Sequence, residues 1–66
     1  MNVWVNGELT QINGAQTVAE VAESLGFGRH TVLIEHNGVA LHQHEWPQRA
    51  LSEGDRLELL RVAAGG

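Results

Sequence analysis

The sequence predicts a small α+β domain in which one short helix packs against a single β-sheet. Two of the three Asn-Gly dipeptides, Asn6-Gly7 and Asn37-Gly38, each separate short segments that favour strands, which is the pattern of tight hairpins. Between these hairpins, residues 17–25 carry apolar side chains at the spacing of one helical face. The chain has 66 residues, of which 42% are hydrophobic, so we expect one domain with a modest core.

The first hairpin turns at Asn6-Gly7, a dipeptide that two-residue type I′ turns prefer. A turn of that length pairs Val5 with Glu8 and Trp4 with Leu9. Because side chains alternate along a strand, Trp4 and Leu9 share one face of the sheet. We therefore expect both faces of the hairpin to present apolar side chains. The other face carries Met1, Val3, Val5 and Ile12.

The helix begins at a capping box. Thr17 at the N-cap accepts a hydrogen bond from the Glu20 amide, while the Glu20 side chain reaches back to the cap. Gly26 suits the left-handed position just past the C-terminus of the helix. A helix of about two turns is marginal alone and must pack on the sheet. The predicted buried stripe consists of Val18, Val21, Ala22 and Leu25.

The next strand is predicted over residues 31–36, before the Asn37-Gly38 dipeptide. Alternation places Val32 and Ile34 on one face of the sheet. Leu33 and Glu35 then lie on the opposite face. This strand therefore also carries an apolar side chain on each face.

A short strand over residues 39–41 leads through a loop into the last strand, predicted over residues 56–62. The loop, residues 42–49, has no sustained period, and Pro47 after Trp46 opposes a long helix. We expect a turn or a short 3₁₀ segment that buries Trp46. Along the last strand, one face carries Leu57 and Leu59 and the other carries Glu58, Leu60 and Val62.

The predicted element order is β-β-α-β-β-β. It permits a final strand that lies parallel to the first in the middle of the sheet, with the helix across one face. This is the β-grasp layout. We expect a β-grasp domain over residues 1–62 and a flexible tail over residues 63–66. Four extended residues reach roughly 13–14 Å beyond the last strand.

Composition opposes several classes of function. The chain has no cysteine, so thiolate nucleophiles, thiolate metal sites and disulfides are excluded. A formal net charge of −4 opposes binding to nucleic acid and favours a partner with a basic surface. No apolar run approaches the roughly 18 residues of a membrane span, and no secretion signal is evident at the N-terminus. We therefore expect a cytoplasmic protein that does not bind membranes.

The sequence closes with Ala63-Ala64-Gly65-Gly66. Glycine has no Cβ, so Gly65 and Gly66 can enter a slot that is too narrow for any side chain. We expect that the role of the domain is to carry the Gly66 carboxylate, which this flexible stretch presents without steric hindrance.

Four stretches of the chain carry a family resemblance. They are Asn37-Gly38 before a short strand, Glu45-Trp46 in the following loop, Leu51-x-x-Gly54-Asp55-x-Leu57-x-Leu59, and Val62-Ala63-Ala64-Gly65-Gly66. Together they resemble the ThiS family, the ubiquitin-like sulfur carriers of thiamine biosynthesis. The resemblance covers the whole chain, and its specificity lies in the combination of the Gly-Asp turn, the Gly-Gly ending and the short length.

The resemblance implies that the chain is a protein substrate and sulfur donor, and not an enzyme. A ThiF-type adenylating enzyme would use ATP to activate the Gly66 carboxylate, and a sulfur donor such as a cysteine desulfurase would convert it to a thiocarboxylate. A ThiG-type thiazole synthase would then take the sulfur. Ala64 and Gly65 would give Gly66 access to these active sites. The carrier itself would bind no cofactor.

Ubiquitin-like proteins dock through the sheet face that the helix leaves open, and the resemblance extends this expectation to the present chain. A short tether makes the domain sit at the mouth of the partner's active site, so surface beside the last strand must touch the partner. The alternative is that stems of Arg and Glu side chains shield these apolar residues. The predicted docking residues are Trp4, Leu9, Leu33, Leu60 and Val62.

The histidines suggest a second kind of site. His42 and His44 share a face of an extended segment, and His36 is nearby in the sequence, so the three could bind a divalent metal. No cysteine completes such a set. We favour the interpretation that the four histidines lie on the surface and hold no metal.

Other functions remain open at the level of sequence. The chain could be the small subunit of a molybdopterin synthase or a carrier for another thiolated metabolite. It could be a protein modifier that forms isopeptide bonds with lysines. It could also be a β-grasp domain that only binds a partner, with an incidental Gly-Gly ending.

Overall fold

A mixed sheet with one helix on its inner face forms the fold, which a computed structural model describes for residues 1–27 and 32–61. The elements are β1 Asn2–Val5, β2 Glu8–Gln11, α1 Val18–Ser24, β3 Val32–His36, β4 Val39–Leu41, a 3₁₀ helix over Gln43–Gln48, and β5 Arg56–Arg61. The five strands lie in the order β2-β1-β5-β3-β4. β5 is parallel to β1 and antiparallel to β3, so the predicted order and the central last strand are confirmed.

Both hairpins turn as predicted. Asn6 and Asn37 have positive φ angles of 51° and 50°, and the glycines that follow them have φ angles of 82° and 85°. Two consecutive left-handed residues define a type I′ turn, whose twist matches that of the flanking strands. The turn at Asn6 pairs Trp4 with Leu9, which confirms the predicted register.

The helix has the predicted start. The Glu20 amide donates to Thr17 Oγ1 over 3.2 Å, and the Thr17 amide donates to Glu20 Oε1 over 3.0 Å. These two bonds form the capping box and satisfy donors that have no partner within the helix.

The helix ends one residue earlier than the predicted stripe. Gly26 has a φ of 83°, and the Phe27 amide donates to the Ala22 carbonyl over 2.9 Å, which closes a Schellman motif. Leu25 is the C-cap residue. Its side chain is 39% exposed, so its predicted burial was wrong.

The core lies between the helix and the inner face of the sheet. Trp46, on the 3₁₀ helix, is 2% exposed, which confirms the prediction that the loop buries this side chain. Val3, Leu57 and Leu59 contribute from the central strands, as alternation predicted. The remaining buried apolar residues are Ile12, Ala15, Val18, Val21, Ala22, Val32, Ile34, Leu41 and Leu51.

Some predictions fall outside the described residues. Thr31, the predicted first residue of β3, is one of them, and so are Val62 and the predicted tail over residues 63–66. The division into a domain and a tail therefore stays a prediction. Within residues 1–27 and 32–61, no helix is long and apolar enough to cross a membrane.

Candidate functional site

β5 is the central strand of the sheet, and the chain continues from its end towards Gly66. The outer face of the sheet, which the helix leaves open, carries Arg56, Glu58 and Leu60 of this strand, because Leu57 and Leu59 point into the core. This outer face is where the sequence placed the docking residues.

The structure leaves the predicted docking residues accessible. Leu9, Leu33 and Leu60 are 57%, 58% and 65% exposed, and Trp4 is half-buried. Val62 lies outside the described residues. Exposed apolar side chains that adjoin on one face of a small domain form the kind of surface that contacts another molecule.

The four accessible residues form two separate pairs. Leu33 lies directly opposite Leu60, and Trp4 lies opposite Leu9. Trp4 also aligns with Arg56 at the start of β5, four residues before Leu60. At about 3.3 Å per residue, the two pairs are some 13 Å apart along the strand direction. The sequence analysis predicted one docking patch, but the strand register places its described residues in two separate pairs.

The pair at the end of β5 lines an open groove of about 560 Å³, which we call the Leu60 groove. Its lining residues are Leu33, Ile34, Glu35, Ala40, Leu41, Glu58 and Leu60. The groove crosses β3, β4 and β5. It therefore combines an apolar floor with two carboxylates.

The other pair has a different character. The Arg56 guanidinium lies 5.8 Å from the centre of the Trp4 ring, at the range of a cation–π contact. Leu9 completes this region on the edge strand β2. The outer face thus has a cationic and aromatic end near the start of β5 and an acidic and apolar end near its finish.

On the inner face, Arg61 ends the described part of β5. Its guanidinium lies 5.2 Å from the centre of the Phe27 ring, just past the C-terminus of the helix. Arg61 is also paired with Val32 of β3. The last described residue of the strand is therefore held from two sides, although neither contact was expected from the sequence.

A buried histidine was missed by the sequence analysis. His36 is 6% exposed, so its placement on the surface was wrong. Its Nε2 lies 2.7 Å from Asp55 Oδ2, and Arg49 Nε donates to its Nδ1 over 2.9 Å. Because Arg Nε–H can only donate, Nδ1 is the acceptor and the proton on Nε2 points to Asp55.

Asp55 ties this histidine to the start of β5. Burial raises the pKa of the Asp55 carboxyl, but hydrogen bonds from His36, the Ser52 amide and Asn37 outweigh it and leave the pKa below its ordinary value of 3.8. The group lies at the start of β5, where Asp55 directly precedes Arg56. Its contacts are structural ones, between the β3–β4 hairpin and the turn before β5.

The histidines do not form a metal centre within the described residues. Among residues 1–27 and 32–61, no three His, Asp or Glu side chains are grouped to hold a metal ion. The rings of His42 and His44 stack in parallel, with centroids 5.6 Å apart and an interplanar angle of 6°. Both ring nitrogens of His36 contact protein side chains, Nε2 that of Asp55 and Nδ1 that of Arg49.

The fold and its central strand define the class of protein. A mixed five-stranded sheet with one helix, in which the last strand lies between the first and the third, is the ubiquitin-like β-grasp fold. Residues 3–66 match the ThiS family, and the chain belongs to that family.

Individual relatives agree with this assignment. The chain is 36% identical over 64 residues to the sulfur carrier protein ThiS of Thermus thermophilus, covering 97% of this chain and 98% of the relative. It is 29% identical over 66 residues to the sulfur carrier protein ThiS of Escherichia coli, covering 100% of both. The crystal structure of a thiamine biosynthesis protein (ThiS) from Geobacter metallireducens superimposes with a TM-score of 0.80 at 30% identity, covering 100% of both chains.

One relative is a larger protein. The whole chain is 29% identical over 66 residues to part of a thiazole synthase from Paramagnetospirillum magneticum. The matched part is 20% of the length of that enzyme. The chain therefore spans about a fifth of this relative and nearly all of the two sulfur carrier proteins.

Proposed function

We propose that the protein is a sulfur carrier of thiamine biosynthesis, and that the Gly66 carboxylate is the group that carries the sulfur. The observation that supports this most strongly is the ThiS family match, which extends over residues 3–66 and so includes both the fold and the Gly-Gly ending. The Thermus thermophilus and Escherichia coli relatives, both sulfur carrier proteins of similar length, support it as well.

The chemistry begins with activation. A C-terminal carboxylate has a pKa near 3.5, so it is ionised at neutral pH and resists nucleophilic attack. An adenylating partner joins the Gly66 carboxylate to AMP from ATP and releases pyrophosphate. The acyl-adenylate has a good leaving group, so the outer sulfur of a desulfurase persulfide can attack the Gly66 carbonyl and displace AMP. This gives an acyl disulfide, and a thiol co-reactant then reduces its S–S bond and releases the thiocarboxylate. The carrier supplies the carboxylate and binds no cofactor, and the partner binds ATP.

The tail residues suit entry into another protein's active site. Gly65 and Gly66 have no side chains, so the backbone can approach a nucleotide phosphate closely. Ala64 adds only a methyl group. These three residues would give the carboxylate access, and they follow β5, which pairs with β1 and β3 in the sheet.

Thiazole synthase is the proposed acceptor of the sulfur. The support is the Paramagnetospirillum magneticum thiazole synthase, in which one segment is similar to this entire chain. A carrier-like segment within the enzyme's own chain is consistent with transfer between the two proteins. The requirement for ATP favours the cytoplasm as the compartment.

Two measurements test the proposal. Intact-mass analysis of the protein from its native host should find an oxygen-for-sulfur exchange at the C-terminus. ATP–pyrophosphate exchange by the adenylating enzyme of the same host should depend on the chain and disappear when Gly66 is deleted. The described core residues all lie between Val3 and Leu59, so the shortened protein should still fold. Exchange that persists with the shortened protein, or ladders of protein conjugates in place of the thiocarboxylate, would contradict the proposal.

A further inference from the structure

The Leu60 groove has a composition that selects its occupant. We propose that it receives a basic side chain of the adenylating partner, best an arginine, whose head lies between Glu35 and Glu58 and whose stem packs on Leu33 and Leu60. This inference rests on the proposed function, because it names the chemistry by which the partner holds the carrier.

The two carboxylates are an unusual pair. Glu35 of β3 lies directly opposite Glu58 of β5 in the antiparallel register. Side chains in such positions have Cβ atoms about 4.5–5.5 Å apart, and like charges there destabilise a sheet. The repulsion has no evident benefit to the isolated domain, and a cation placed between the two side chains would relieve it.

No cation of the described residues does so. Within residues 1–27 and 32–61, neither Glu35 nor Glu58 forms an ion pair. The three described arginines are engaged elsewhere, with Arg49 bonded to His36, Arg56 over Trp4 and Arg61 over Phe27. The charge that complements the groove must come from outside this part of the chain.

The apolar lining indicates the shape of the occupant. Leu33 and Leu60 are more than half exposed and are direct cross-strand partners on the adjacent strands β3 and β5. A long basic side chain can lay its methylene stem on such a surface while its charged head reaches a carboxylate. The arginine head is planar and carries five donors, so it can bond to Glu35 and Glu58 together, whereas lysine offers a single point of charge.

The position of the groove relative to the tail favours a partner that takes Gly66 into its active site, which the adenylating enzyme is the first to do in the proposed cycle. Six residues lead from Leu60 to Gly66, and they span at most about 20–22 Å when extended. A protein that holds Gly66 in its active site must therefore contact the surface around Leu60. The region around Trp4 lies some 13 Å farther back along β5.

The experiment measures binding and stability of the full chain in parallel. Glu35→Gln, Glu58→Gln and the double variant are titrated calorimetrically against the adenylating enzyme of the same host. We expect each single variant to raise Kd about fivefold and the double variant more than tenfold, with the difference shrinking at high salt. The urea midpoints of the variants should rise, since the cross-strand repulsion is removed.

This opposite response of binding and stability identifies the role. Glu23→Gln on the helix is the matched control, and it should leave both quantities unchanged. An unchanged Kd for the double variant would overturn the inference, and so would a weaker affinity that comes with a lower midpoint. Self-association of the wild type that the double variant lacks would overturn it too, because the occupant would be a second copy.

The outcome is separable from that of the proposed function. If the wild-type chain does not support ATP–pyrophosphate exchange, the sulfur-carrier proposal itself fails. If the wild type supports exchange and the double variant binds with equal affinity, only the assignment of the Leu60 groove fails. Loss of affinity in Arg56→Gln but not in Glu58→Gln would place the contact at the Trp4 end and would also overturn it.

Discussion

The side-chain amide of Asn6 pairs with the backbone of Leu59 in both directions. Asn6 Nδ2 donates to the Leu59 carbonyl over 3.2 Å, and the Leu59 amide donates to Asn6 Oδ1 over 2.7 Å. The residue that forms the first turn thus also holds the central strand, beyond the point where β1 ends. Asn37 does the same at the second turn, where its Oδ1 accepts from the Arg56 amide over 2.8 Å.

Asn6→Gly should therefore destabilise the domain although glycine tolerates the positive φ at this position. The substitution leaves the Leu59 amide without its acceptor in a partly buried place, which we expect to cost about 1–3 kcal/mol in the free energy of unfolding. Urea denaturation measures the change. Asn13→Ser is the control, because Asn13 is exposed and makes no side-chain hydrogen bond within the described residues. Equal urea midpoints for Asn6→Gly and the wild type would show that the hydrogen bonds of the Asn6 side chain to Leu59 do not stabilise the domain.

Stability should fall in acid because of Asp55. Its pKa in the folded state is below the ordinary value of 3.8, so its stabilising contribution is present above that value and is lost as the pH falls through the lower folded pKa. Asp55→Asn should lower the urea midpoint at neutral pH and flatten its dependence on pH below about pH 4. Midpoints across that range provide the measurement. A variant with the same acid slope as the wild type would assign the acid sensitivity to other groups.

Leu59→Ala tests the orientation of β5. Leu59 is 7% exposed, and its truncation in a small core should cost about 2–5 kcal/mol in the free energy of unfolding. Leu60→Ala is the matched control one residue along the same strand, and with a side chain 65% exposed it should change stability by less than about 0.5 kcal/mol. The urea midpoints of the two variants compare the two faces of β5 directly. A larger loss of stability for Leu60→Ala than for Leu59→Ala would show that the inward and outward faces of β5 are assigned the wrong way round.

Leu60→Ser should weaken binding to the adenylating enzyme by roughly 1–3 kcal/mol while the fold remains intact. The reason is its place at the end of β5, opposite Leu33 and nearest to the tail. Leu9→Ser is a matched comparison, because Leu9 is similarly exposed but belongs to the remote pair with Trp4. Calorimetric titration of both variants measures the footprint. Equal losses of affinity for the two variants would show that the contact extends over both pairs. An unchanged affinity for Leu60→Ser would show that this face is not part of the interface.

Much of this protein was predictable from short stretches of sequence. The two Asn-Gly turns, the Thr17–Glu20 capping box and the alternation of Leu57 and Leu59 each depend on neighbours a few residues apart. Such local rules are sufficient to order the elements and to assign the inward face of each strand. The motifs that carried the family resemblance are likewise local, and the family match confirmed them.

Only the tertiary structure decided which distant residues meet. The parallel pairing of β1 with β5 brings Asn6 against Leu59 across 53 residues of sequence, and the closing of β3 onto β5 buries His36 against Asp55. The same register divides the outer leucines into two pairs and sets Glu35 opposite Glu58. Periodicity predicts the face on which a residue lies, but the relative shift of two strands depends on the packing of the whole core, so contacts across the sheet have no local signal in the sequence.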